Sequence, residues 1–130
     1  MSLDPVKLSE MAKAYAVAWS SKSPEAVAAF YAEDGRFCAN LGETVRGRAA
    51  IEGMAAGFFA DLPDLVVHCD DARAAGNHAL FLWTLEGHSR RTNNRVRVSG
   101  WEEWDLDSDL RIVSSFGWFD TEDYERQMGA

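Results

Sequence analysis

A chain of 130 residues, 47% hydrophobic and with a formal net charge of −8, is long enough to bury one core, and its acidity argues against nucleic acid, which is gripped by clustered Lys and Arg. No apolar run approaches the roughly 20 residues that cross a bilayer, and the opening MSLDPVKLSEM has no hydrophobic stretch of signal-peptide length. The expectation is one domain over residues 1–130, soluble and cytoplasmic, with neither a nucleic-acid nor a membrane partner.

Asp4 and Pro5 open the first element, because Asp can accept a hydrogen bond from an orphan helix amide and Pro suits the first helical position. Leu8, Met11, Ala12, Tyr15, Ala16 and Trp19 then recur at helical spacing and predict one buried face. Ser23 and Pro24 repeat the start signal, and Val27, Phe30 and Tyr31 predict a short second helix that runs to about Gly35. RFCANL reads as a short extended piece. GRAAIEGMAAGFFADLP predicts a third helix with Ile51, Met54, Ala55, Phe58 and Phe59 inward, closed at Leu62 and Pro63.

The rest of the chain is strand-like. LVVHCDDARAA, HALFLWTLEGH, RVRVSGWEEWDL and LRIVSSFGWF are rich in β-branched and aromatic residues, and GN, TNN and DSD between them are turn chemistry. Helices followed by consecutive strands predict an α+β domain with helices packed on one side of an antiparallel sheet. Ala79, Phe81, Trp83 and Leu85 share one strand face, yet Leu80 and Leu82 on the other are also apolar. An apolar outer face predicts a covering partner, and a homodimer is the simplest.

At Asp120 the chain turns from strand-like to charged and helix-like. An Asp followed by Thr121, Glu122 and Asp123 fits a helix cap with acids in the first turn better than it fits a catalytic acid. Cys38 and Cys69 read as small buried thiols. Arg90, Arg91, Arg95 and Arg97 read as a solvated hairpin tip. The three histidines and two cysteines show no metal-ligand spacing, and no glycine-rich phosphate loop is present, so neither a metal nor a cofactor is expected.

AYAVAWSSKSPEAVAAFYAEDGRF, GETVRGRAAIEGMAAGFFADLPDL, HALFLWTLEGHS and SGWEEWDLDSDLRIVSSFGWFD, in that order, resemble the SnoaL-like branch of the nuclear transport factor 2-like superfamily over nearly the whole chain. The resemblance implies a cone-shaped α+β barrel: a curved antiparallel sheet wrapping three N-terminal helices, a short C-terminal helix, and a pocket between the concave sheet face and the first helix. The superfamily includes ketosteroid isomerases, polyketide cyclases, epoxide-hydrolase-like enzymes and proteins without catalysis, so function rests on the site residues.

Laid on the isomerase pattern, the oxyanion tyrosine falls on Tyr15 and the donor acid on or beside Glu102, while the base position falls on Ala39 or Asn40, neither of which takes a proton at neutral pH. The aspartate of the cyclases falls on Gly117. The Arg and Asp of an epoxide-hydrolase-like site fall on Trp83 and Leu85. By the resemblance, the usual catalytic carboxylates are therefore missing.

Helical face, strand alternation and the implied geometry together place Tyr15, Trp19, Asn40, Phe58, His68, Trp83, Glu102, Trp104 and Ser115 around the pocket. A mostly aromatic lining with few polar groups suits a small hydrophobic molecule. Glu102 and Glu103 are adjacent on a strand, so only one can point inward, and a Glu in an aromatic pocket would be held protonated by desolvation. Two readings follow: a binding domain without catalysis, or an isomerase- or cyclase-type enzyme acting on a ketone or polyketide-like substrate. In the second, Tyr15 and Glu102 serve as oxyanion donors or acid and His68 as base.

Overall fold

The computed structural model describes residues 3–129. Asp4 caps α1 (Pro5–Ser20), its carboxylate accepting from the Val6 amide at 2.9 Å. The predicted stripe of α1 is buried at Leu8, Ala12, Tyr15, Ala16 and Trp19, with Met11 at its half-buried margin. Ser20 then pins the helix end to the sheet, its Oγ donating to the Val67 carbonyl at 3.2 Å and accepting from the Val67 amide at 3.0 Å.

Ser23 caps α2 (Pro24–Ala28). This helix is shorter than the spacing of Val27, Phe30 and Tyr31 predicts, because Tyr31 already opens β1 (Tyr31–Ala39) and pairs with Ile112. Gly35 lies in the irregular part of that strand, where an added Cβ would stand 2.7 Å from the Ile112 carbonyl oxygen. Close approach of two backbones there commits YAEDG to the sheet and overrides its helical pattern. A three-residue strand that the sequence does not announce, β2 (Thr44–Arg46), pairs antiparallel with β1. Its pairing is stabilised from outside the segment, since Val45 lies opposite Phe37.

Gly47 leads into α3 (Arg48–Asp61), which buries Ile51 and Ala55 and keeps Met54, Phe58 and Phe59 half-buried. The strands β3 (Val66–Ala75), β4 (His78–His88), β5 (Arg95–Leu106) and β6 (Ile112–Trp118) follow, and α4 (Thr121–Met128) ends the described chain. A two-residue turn at Gly76 and Asn77 joins β3 to β4, with Gly76 at φ 64° in the first central position, which glycine occupies without strain.

The six strands run in the order β2-β1-β6-β5-β4-β3 and form an unclosed sheet. Every pairing is antiparallel except β1 with β6, which is parallel and lets the N-terminal strand enter the sheet beside the last one. Register irregularities in β1, β3 and β6 accompany the curvature of the sheet. One hydrophobic cluster joins the helices to the sheet, and α1 packs on β3 while α4 packs on β5. This is the α+β fold the sequence predicts, the cone of the resemblance.

Cys38 is buried, but Cys69 is only half-buried beside the irregularity of β3, which corrects the reading of both thiols as core. Arg95 and Arg97 lie on the outer face beside Glu86, at 3.1 and 3.5 Å. Among the described residues no helix is long and apolar enough to cross a membrane.

Candidate functional site

Strand alternation turns Phe81, Trp83 and Leu85 of β4, Val98 and Glu102 of β5, Gly117 of β6 and Phe37 and Ala39 of β1 to the inner side of the sheet. Trp19 of α1, Phe58 of α3, and Phe119 and Tyr124 at the C-terminal end complete the wall. With Val67 of β3 they line a partly open cavity of about 50 Å3. At roughly 10–15 Å3 for each water-sized group, the aromatic rings leave room for only a few atoms.

Glu102 supplies the cavity's carboxyl group. Trp104 Nε1 donates to its Oε1 at 2.9 Å, Ser115 Oγ at 2.7 Å and the Tyr15 hydroxyl at 3.1 Å, whereas Oε2 has only the longer Tyr15 contact at 3.4 Å. Tyr15 and Tyr31 share a further hydrogen bond, hydroxyl to hydroxyl, at 2.8 Å. Burial raises the Glu102 carboxyl above the usual range, while its bonds to Trp104, Ser115, Tyr15 and Tyr31 pull it back. Three donors converge on Oε1, so a proton carried by this carboxyl belongs on Oε2. Burial first, and then the nearby Glu102, push both tyrosine hydroxyls well above their usual range, which keeps them neutral.

The predicted residues divide into three groups. Trp19, Phe58, Trp83 and Glu102 line the cavity. Tyr15, Trp104 and Ser115 stand behind it: each is buried and bonded to Glu102, and Tyr15 sits edge-on to Phe81 and Trp104 with ring centres 5.3 Å away. A residue so placed can position Glu102 but does not reach the space inside. Asn40 and His68 lie elsewhere. Asn40 sits at the end of β1 and accepts from the Phe119 amide at 3.0 Å, holding the C-terminal segment against the sheet. The placement of His68 in the pocket is corrected: alternation puts it on the outer face, half-exposed, with Nε2 2.7 Å from Glu86.

Gly117, on which the cyclase aspartate falls, does line the cavity. A Cβ there would meet the Phe37 ring at 3.5 Å and Glu102 Cγ at 3.8 Å, ordinary contacts, so side-chain space exists that this chain leaves to the cavity.

Phe119 and Tyr124 are cavity residues absent from the sequence-based set. Asp120 caps α4, its carboxylate accepting from the Asp123 amide at 3.0 Å. Phe119 before the cap and Tyr124 in the first turn then pack ring against ring at 5.7 Å, a hydrophobic staple. An aromatic on each side of an N-cap is a legible signal of that staple, but its position over a cavity depends on how the strand enters the helix.

A model of the SnoaL-like domain matches residues 12–115. Curated protein sequences give no match. Among solved structures, a protein of ketosteroid isomerase-like fold from Catenulispora acidiphila, in complex with trimethylamine, is 25% identical, with a TM-score of 0.85 and 92% of each chain covered. TsrD from Streptomyces laurentii superposes over 99% of both chains at 18% identity and a TM-score of 0.85. SalBIII, an epoxide hydrolase/cyclase-like enzyme of pyran ring formation in the polyether salinomycin, aligns at 15% identity over 92% of this chain and 95% of its own, with a TM-score of 0.81. The last two likenesses speak for the fold alone.

Proposed function

The chain belongs to the SnoaL-like domain family, and from that premise we propose that it binds a compact, mostly apolar small molecule in the cavity beside Glu102. The observation that carries this reading is a buried carboxyl group on the wall of an otherwise aromatic and aliphatic cavity, raised above its usual range by burial and already saturated at one oxygen. When it holds its proton, an acid in such a place is a hydrogen-bond donor, which suits a ligand with an apolar body and one acceptor atom. The small volume supports a compact ligand, and trimethylamine in the Catenulispora protein belongs to the same size class.

Gly117→Ala tests the reading. The added methyl makes ordinary contacts and occupies cavity space, so the melting temperature should stay within a degree or two while affinity for small apolar probes, followed by shifts of cavity methyl and indole signals, falls steeply. Wild-type protein that takes up no such probe would overturn the proposal.

The second reading, an isomerase- or cyclase-type enzyme, is favoured by one feature, the donor Glu102 backed by Tyr15. Its Tyr15 would be a positioning residue, since the hydroxyl is spent on Glu102 and Tyr31. His68 lies on the wrong face to be the base, and Ala39 and Gly117 carry no proton-accepting group. Wild-type protein should therefore isomerise a β,γ-unsaturated ketone no faster than Glu102→Gln; a rate that collapses in the variant would establish the enzyme instead.

The outer sheet face supports the proposed partner, a second copy of the chain. Leu80, Trp101 and Phe116 lie there, 39%, 43% and 36% exposed, on adjacent strands.

A further inference from the structure

Seven of the thirteen residues lining the cavity are aromatic, in a chain where aromatic residues make up 12% of the total. Their planes are steeply inclined to one another: 80° between Trp19 and Phe58, 61° between Trp83 and Phe119, and 76° between Phe119 and Tyr124. Rings set at such angles around one space are the walls of a box rather than a stack, and the face of each ring carries the negative part of its quadrupole. An apolar molecule gains from these walls by burial alone. A cation gains a further attraction, which grows as water is removed.

The carboxyl group on the wall is built to carry charge. Trp104 Nε1, Ser115 Oγ and the Tyr15 hydroxyl meet Glu102 Oε1 at 2.9, 2.7 and 3.1 Å, and donors so placed favour a carboxylate over an acid. What the carboxylate lacks is a counter-charge. Among the described residues no Lys, Arg or His forms an ion pair with it, and the titratable groups that face it, Tyr15 and Tyr31, keep their protons. A buried charge without a partner is costly, and a cation in the cavity would supply one. The number of N–H groups on that cation is set by Oε2, whose contact with Tyr15 is a long one at 3.4 Å. A primary ammonium would bring more donors than this one oxygen can accept and a quaternary one none, whereas a tertiary ammonium brings a single N–H and turns its alkyl groups to the rings.

We infer that the cavity takes a small tertiary amine, bound as its ammonium ion with the N–H on Glu102 Oε2 and the alkyl groups against the aromatic walls. A neutral amine receives the proton that Oε2 carries, and an ammonium ion arriving from water displaces that proton to solvent, so either route ends in the same ammonium carboxylate pair. The formal net charge of −8 favours the approach of such a cation. The inference rests on the binding reading above and narrows its acceptor atom to a basic nitrogen.

Titration with N,N-dimethylethylamine and with 2-butanone, which match in heavy-atom number, followed through the cavity indole signals, tests the pair. The amine should bind roughly fivefold to thirtyfold more tightly than the ketone at neutral pH. Its affinity should drop as pH falls through the carboxyl range, because protons compete for Oε2, while that of the ketone should not. In Glu102→Gln, which keeps the shape of the wall and removes its charge, the preference for the amine should vanish. Equal binding of the two probes to wild type would overturn the ammonium site and leave the binding reading standing. An amine preference that persists in Glu102→Gln, or an amine affinity that stays flat across the carboxyl range, would overturn it too, since neither can come from a pair with Glu102. If neither probe binds, the binding reading itself fails and the inference with it.

Discussion

At the scale of single residues, the pH dependence of Glu102 is the sharpest consequence of the structure. Its folded carboxyl is raised by burial, so the folded state holds a proton that the unfolded chain releases. That contribution is fully present below the ordinary carboxyl range and is lost as pH rises through the folded value. Wild-type stability should therefore fall relative to Glu102→Gln between about pH 4.5 and the folded value, with a limiting slope of roughly 1.4 kcal/mol per pH unit. Chemical denaturation of both proteins across that range measures it, and parallel curves would show that Glu102 is ionised throughout. The exposed acids Asp64, Asp71 and Glu86, lowered chiefly by hydrogen bonds from His88, Arg73 and His68, act in the opposite direction in acid, but they are common to both proteins. Tyr15→Phe should cost about 1–3 kcal/mol, because it strips one donor from Glu102 and the partner from Tyr31. That Glu102 points inward follows from strand parity once Trp104 is core. That Tyr15 spends its proton on Glu102 does not follow from spacing, since the two are 87 positions apart and meet only when α1 crosses the sheet.

Elements show how local chemistry can be clear while its outcome is not. The caps of α1 and α4 are written in the chain: Asp4 and Asp120 accept from the amides a helix start leaves free. Asp120→Ala should cost about 1 kcal/mol and speed amide exchange along α4, since the same cap anchors the Phe119 and Tyr124 staple. Unchanged exchange in α4 would mean that the staple alone holds it. By contrast, YAEDG has helical spacing and becomes strand. The deciding contact is Gly35 against Ile112, and Gly35→Ala should destabilise the protein by about 1–3 kcal/mol through a clash with a backbone oxygen that has no freedom to retreat.

For the whole molecule, the two faces of the sheet divide the functional question. The inner face is occupied by helices and cavity; the outer face leaves Leu80, Trp101 and Phe116 partly in water. If a second copy covers it as proposed, light scattering at micromolar concentration should give twice the chain mass, and Trp101→Asp should give a monomer with unchanged circular dichroism. A wild-type monomer would remove the dimer and leave the apolar strand faces without an occupant. The sequence by itself determined α1, α3, α4 and the four long strands β3 to β6, the caps of α1, α2 and α4 and most residues on each face, because these follow from spacing and from backbone chemistry within a few residues; it did not determine YAEDG, β2 or the side taken by His68. Only the tertiary structure decided that the rings leave a small cavity rather than a wide pocket, that Glu102 is saturated on one oxygen, and that Trp83 and Tyr124 face the same space. Volume and hydrogen-bond satisfaction are properties of groups brought together from distant parts of the chain, and no local period encodes them.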